Sequence, residues 1–395
     1  MITQRHLLLA IALLIPAACL AQVHDVLCRA GDGSFAASFR NIVKVSVGPK
    51  RDGELATRAC QATLSWGNQK LVVASGVAQL DLDVFGADFG SREPAAGFAT
   101  AKSDDTCCMT YQIYSLTEPP ALLRTITGGG FYSATDTDLD GRVEIWTDDS
   151  AAVDGLDGLS ASEIEFVPTY VLRLNAGLLV DASSEFREYY DEVIQKVRSK
   201  MQEDRLREFK ASDGRLKASP GTAAPEFVRL HKLRAVKIQA LEIVWAYLYS
   251  GRDKEAWESL REMWPTSDQE RVRDEIVKAR SRGIQAQLDG VPQAEQRGKW
   301  KKAAIYHQTE VTPAKAIVMR VYPPEDQDVS LAHKEVQIDL VVDAAGKVRS
   351  VKPRGGKVPL EPYIEASVSR WKFIPAFKAG RPVASQMHTS IFALR

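Results

Sequence analysis

The chain has 395 residues, with 51 Lys and Arg against 51 Asp and Glu, and 45% of its residues are apolar. That length allows two or three domains. A net charge of zero removes the overall basic field of a nucleic-acid binder. The charge is uneven, however: residues 22–185 hold 12 Lys and Arg against 23 Asp and Glu. An acidic first part suits a cation, and it equally suits an ordinary solvated surface.

At the start, Arg5 and His6 precede an apolar run from Leu7 to Ala21 that ends in small residues. This reads as a secretory signal peptide over residues 1–21. The run falls short of the roughly 20 apolar residues that a comfortable membrane span needs, and no later segment could span a bilayer. Cys19-Leu20-Ala21 permits cleavage before Gln22. Pro16-Ala17-Ala18-Cys19 is an imperfect lipoprotein site, because Pro16 stands where Leu is usual. Soluble export is expected; a lipid on Cys19, or a retained anchor, is the alternative.

Residues 22–183 read as a β-rich acidic domain. Val43–Val47, Ala62–Trp66, Leu71–Ala74, Tyr111–Tyr114 and Tyr170–Leu174 are β-branched or aromatic runs separated by Gly, Asp and Pro. Many short strands suggest a sandwich or partial propeller. No internal repeat is visible, which argues against a complete propeller. Cys28, Cys60, Cys107 and Cys108 all lie here. Export to an oxidising compartment makes disulfides the default. Adjacent cysteines close a strained ring, so Cys107 and Cys108 are expected to reach different partners.

The sharpest candidate for chemistry is Asp136-Thr-Asp138-Leu-Asp140-Gly141-Arg142-Val-Glu144. Carboxylates at alternate residues, followed by Gly, let a loop wrap a hard cation in oxygen ligands. Asp136, Asp138 and Asp140 supply carboxylates, Arg142 a backbone carbonyl, and Glu144 the closing ligand. With Gly129-Gly-Phe131 before it and Glu144-Ile-Trp146 after it, the loop resembles the calcium loops of integrin-like FG-GAP repeats. The resemblance implies a structural Ca2+. The plain alternative is an Asp-rich turn whose hydrogen bonds are satisfied within itself.

From Ser184 the period changes, and residues 184–289 read as helical. Phe186 to Phe209 reads as one run, with Tyr190, Val193, Val197 and Met201 on one face. A second run follows Pro225, and Gly251-Arg-Asp turns the chain into a partner helix. Tyr247, Gly251, Ala256 and Leu260 make residues 241–265 resemble a single tetratricopeptide-like helix pair; a plain helical hairpin is the alternative. Val272, Ile276 and Ala279 add a third helix. Trp245, Trp257 and Trp264 read as packing residues at helical spacing. Residues 290–305 read as a polar linker.

In residues 306–395, Val336, Ile338, Leu340 and Val342 alternate with polar residues as a half-buried strand does. Ala344-Ala345-Gly346 turns the chain into a second strand carrying Val348 and Val351. A helical stretch, Trp371-Lys-Phe-Ile-Pro-Ala and Gly380-Arg-Pro-Val follow, and Val383 to Leu394 supplies a third strand. This order of elements resembles the C-terminal domain of TonB energy transducers. The resemblance implies a three-stranded antiparallel α+β domain in a Gram-negative envelope, separate from the acidic loop. It also implies binding of short outer-membrane transporter segments along a sheet edge. Val383, Ser390, Phe392 and Leu394 mark that edge, while Trp371 and Phe373 read as core.

The expected whole is multidomain α+β: an exported, periplasmic, non-enzymatic scaffold binding envelope proteins, with no nucleic-acid partner. A TonB-type transducer with a retained N-terminal anchor is one alternative. An envelope hydrolase or carbohydrate-active enzyme using the β-rich domain is the other. No zinc helix, nucleophile elbow or phosphate loop is present in the sequence.

Overall fold

The computed structural model describes residues 26–53, 55–103, 108–159, 164, 166–217, 223–290, 302–321, 335–355 and 359–391. The expected signal run, Cys19, Cys107, Phe392, Leu394 and most of the linker lie outside them. The architecture is mixed α+β. Among the described residues no helix is long and apolar enough to cross a membrane.

The β-rich part is a succession of antiparallel meanders. After β1 (Cys28–Arg29), the strands β2 (Phe35–Phe39), β3 (Val43–Asp52), β4 (Leu55–Trp66) and β5 (Gln69–Val77) form the first sheet. β6 (Gln79–Asp88), β7 (Pro94–Ala101), β8 (Met109–Ser115) and β9 (Leu122–Gly129) form the second, with β1 on the outer side of β6. β10 (Tyr132–Thr135), β11 (Glu144–Asp148), β12 (Thr169–Asn175) and β13 (Leu178–Asp181) form the third, with the short α1 (Ser150–Val153) between β11 and β12. Alternation explains the pleat: Val43, Val45 and Val47 are buried while Lys44 and Ser46 are exposed.

Cys28 is bonded to Cys60, stapling β1 to β4. Each is therefore closed to Cys107 and Cys108, which corrects the expectation that the adjacent pair reaches two separate partners. Cys108 is also disulfide-bonded.

The helical part comprises α2 (Arg187–Lys200), α3 (Glu203–Lys210), α4 (Ala224–Tyr249), α5 (Asp253–Met263) and α6 (Gln269–Arg280). The single helix expected over residues 186–209 is two. Met201 and Gln202 are extended, and the bend seats the buried Phe209 edge-to-face on Trp264, with ring centroids 5.1 Å apart. Trp245 and Trp264 are fully buried. One apolar cluster runs from Val84 on β6 to Ile284 beyond α6. The change of period at Ser184 thus lies inside a continuous core.

The C-terminal part contains β14 (Tyr306–His307), β15 (Lys315–Val318), β16 (Val336–Val342), β17 (Val348–Pro353), α7 (Pro362–Val368), β18 (Lys372–Ile374), β19 (Ala376–Lys378), β20 (Arg381–Val383) and β21 (Ser385–Ile391). Ile338, Leu340 and Val342 point into its core with Trp371 and Phe373, as their alternation and aromatic bulk predict. The sheet order is β14-β21-β16-β17, so the expected three antiparallel strands are joined by a fourth, parallel one. Val383 is not on the long strand. It lies in a separate two-stranded hairpin of β19 and β20.

This part is fastened to both the first and the second sheet. Val318 and Ile374 belong to the same apolar cluster as Val45, Leu64 and Leu82. Phe377 meets Phe39 edge-to-face at 5.6 Å. A buried pair, Lys372 with Asp81, and a second pair, the partly buried Lys347 with the buried Asp83, cross the junction.

Candidate functional site

The loop from Asp136 to Glu144 closes the hairpin of β10 and β11, whose ladder ends at Thr135 opposite Glu144. Leu139 and Gly141 take positive φ angles of 60° and 88°, which let nine residues fold back so tightly. Asp136 is buried at its centre. Its two oxygens accept the main-chain N–H groups of Asp140 (2.9 Å) and Gly141 (3.1 Å). Glu144, also buried, accepts from the Thr137 N–H at 2.9 Å and from the Arg173 guanidinium at 2.7 Å. Arg173 in turn reaches Glu185 at 2.7 Å.

Of the four expected carboxylate ligands, three converge. Asp136, Asp138 and Glu144 place carboxylate oxygens within 4.8 Å of one another. Asp140 turns to Arg142, accepting from its N–H at 2.8 Å and its Nε at 2.7 Å. The Arg142 guanidinium also extends to Glu185 at 3.3 Å.

The electrostatics are uneven. Burial pushes Asp136 up to about 8, and the nearby Asp343, Glu144 and Asp140 carboxylates push in the same direction. Burial also raises Glu144, to about 7, although Arg173 opposes it. Asp138 is raised by burial and by Asp140. Burial is the largest cause at all three, and neighbouring carboxylates add to it.

The sequence reading missed Asp343. It sits in the turn between β16 and β17, fully buried, where its carboxylate accepts from the Asp136 N–H (3.0 Å) and the Thr135 hydroxyl (2.8 Å). Burial raises its pKa as well. Arg349 on β17 donates to the Thr137 carbonyl at 2.8 Å. The Ala303 N–H donates to the Leu139 carbonyl at 2.6 Å. The loop is therefore held from the C-terminal part, and the expectation that the two stand apart is corrected. A contact more than 200 residues away leaves no local signal; the Asp-x-x-Gly pattern at 343–346 shows only a turn.

The second candidate is the edge of the C-terminal sheet. β21 pairs along its length with β16, with Ser390 opposite Gln337 and Ile391 opposite Val336. On its other side, β14 covers only the beginning: Tyr306 lies opposite Ser385 and His307 opposite Gln386. The Tyr306 N–H donates to the Ala384 carbonyl at 3.0 Å. Alternation then turns the main-chain groups of Gln386, His388 and Ser390 to that same side. Among the described residues, no strand pairs with His388 or Ser390 there.

Comparison with protein-family models, with curated proteins and with solved structures finds no match.

Proposed function

We propose that this chain is an exported, periplasmic scaffold protein that binds other envelope proteins by taking an extended segment onto the open half of β21. The observation that carries the reading is that edge: a central sheet strand whose outer main-chain groups at His388 and Ser390 have no strand beside them among the described residues. An unpaired edge is a template for another chain, and strand addition draws affinity from the main chain. The resemblance of residues 306–395 to TonB C-terminal domains supports the same mode, with outer-membrane transporter segments as the partner class. A photo-crosslinker at Ser390 in the intact envelope tests it. Adducts with envelope proteins are expected there and not at the exposed Leu55 of β4. Equal adducts at both positions would remove the reading's main support.

The acidic loop serves this scaffold as a structural calcium site. Two oxygens on opposite sides of a calcium ion, each about 2.3–2.6 Å away, lie roughly 5 Å apart; the 4.8 Å spread of Asp136, Asp138 and Glu144 fits that span. The carboxylates keep lone pairs beyond those used by main-chain N–H groups. With no His or Cys in the cluster, a hard cation suits it better than zinc. The ion would neutralise the cluster and stiffen a loop that touches three parts of the molecule.

A further inference from the structure

We propose that residues 302–310 are a built-in occupant of the β21 edge, which an incoming extended segment must displace to pair along the whole strand. The inference rests on the edge reading above and adds its regulation. Among the described residues β14 is the only parallel strand in the C-terminal sheet, and its ladder is two residues long. Parallel pairing is slightly weaker per residue than antiparallel pairing, and a two-residue ladder offers little to resist opening.

Little else holds the segment. Lys302, Ala304, Ile305 and His307 are exposed, and Tyr306 is only half-buried. Its fastenings are few and polar. Besides the two-residue ladder, they include the Ala303 N–H on Leu139, the Tyr306 N–H on Ala384, Gln308 Nε2 against His388 Nε2 at 3.2 Å, and the His307 and His388 rings 6.5 Å apart. The Lys378 ammonium also stands 3.8 Å over the Tyr306 ring. Few buried apolar contacts and exposed main-chain hydrogen bonds define the low-stability end of a fold.

The segment also reaches the site it covers from one side only. Beyond His307 the ladder stops, because the cap formed with Glu310 begins a short helical turn: the His307 N–H donates to the Glu310 carboxylate at 2.8 Å, and Gln308 meets His388 only through its side chain. The outward groups of His388 and Ser390 lie past that turn. An incoming segment can therefore pair first at Ser390 and His388 and then replace His307 at Gln386 and Tyr306 at Ser385, exchanging strands stepwise. As a tethered competitor, the segment acts at an effective concentration on the order of mM. That lowers the apparent affinity for any incoming segment by the fraction of molecules that are open.

The test uses the full-length protein and one probe, a fluorescent peptide with the sequence of residues 302–310. Tyr306→Pro removes the main-chain donor to Ala384 and should free the edge. The peptide should bind this variant at least about tenfold more tightly than the parent. Affinities equal within about twofold, or no binding to the variant, would overturn the proposal. Hydrogen exchange on the unaltered protein gives a second reading that needs no variant. The Tyr306 amide should exchange at least about 100-fold faster than the Leu340 amide of β16, as a locally opening strand does; equal protection would also overturn it. If the peptide binds Tyr306→Pro while Ser390 traps no envelope protein, the masking stands and the scaffold function fails.

Discussion

Two clusters of buried carboxylates sit at the same junction between the β-rich part and the C-terminal part, and they are treated in opposite ways. At one, Asp83 accepts from Lys347, from the Tyr111 hydroxyl at 2.8 Å and from the Ala134 N–H at 2.7 Å. Burial alone would raise its pKa, but the Lys347 and Lys372 ammonium groups outweigh burial and hold it below the usual range. At the other, Arg173 acts on Asp138 and Glu144, Arg142 on Asp138 and Arg349 on Asp343, main-chain N–H groups add to them, and all four carboxylates are still raised. Burial is common to both. The balance of cations against carboxylates within reach decides which cluster is charged and settled and which is short of positive charge: two ammonium groups act on Asp83, whereas among the described residues no cation is resolved acting on Asp136.

The largest effect is expected from breaking the settled cluster. Lys347→Met leaves the Asp83 charge buried without its ammonium and should cost about 3–5 kcal/mol at neutral pH. Urea unfolding measures it. Adding Asp83→Asn should recover about half of that loss, because the amide keeps an acceptor for Tyr111 and Ala134. A double variant no more stable than Lys347→Met would mean that packing, not the charge pair, holds this junction.

The unsettled cluster should give the next effect, through pH and calcium together. Asp136 and Glu144 have folded pKa values above their ordinary ones, so the folded state holds the extra protons. Their contribution is present below about pH 4 and is lost as pH rises through about 7–8. Asp83 has the opposite sign: its contribution is present above the ordinary carboxylate value and lost as pH falls below it. Metal-free protein should therefore lose stability between pH 5 and pH 8, and Asp136→Asn should flatten that slope. Calcium needs the deprotonated carboxylates, so its stabilisation should be larger at pH 8 than at pH 6. At about 100 times its Kd, calcium should add about 2.7 kcal/mol. A calcium-independent melting temperature at pH 8 would leave the loop as a turn and nothing more.

The Ser390 edge offers a smaller and separable effect. Ser390→Pro removes an outward donor from a strand whose inward bonds to β16 stay intact, so stability should change by under about 1 kcal/mol. Crosslinking captured through a probe at neighbouring His388 should fall at least about fivefold, a loss of roughly 1 kcal/mol of binding. An unchanged yield would place any partner contact elsewhere.

What the sequence made legible was local. The alternation of Val336 to Val342, the turn at Ala344 to Gly346, the strand runs around Val43 and Ala62, and the helix pair around Gly251 all follow from periods of two and 3.6 residues. The acidic loop was visible because its carboxylates are spaced within nine residues. Three features were not legible. Lys347 with Asp83 and Asp343 with Asp136 join residues more than 200 positions apart, with no periodic trace. β14 has two residues, too few for any pattern. The break at Met201 depends on where Trp264 stands, which Phe209 meets only in the folded chain.

The smallest predicted effect sharpens the contrast between spacing and geometry within the loop. Spacing gives Asp138 and Asp140 equal standing as ligands, whereas the fold brings Asp138 to Asp136 and Glu144 and hands Asp140 to Arg142. Asp138→Ala should therefore abolish the calcium response. Asp140→Ala should keep it, shifting the calcium Kd by less than about threefold, under 1 kcal/mol. Its cost in stability should stay within about 1 kcal/mol, because the Arg142 it releases is partly exposed and still has Glu185. Calcium titration followed by melting temperature at pH 8 compares the two variants directly. If Asp140→Ala removes the response as fully as Asp138→Ala does, the ion draws Asp140 away from Arg142 on binding, and the alternate-carboxylate pattern of the sequence describes the occupied loop better than the ion-free geometry does.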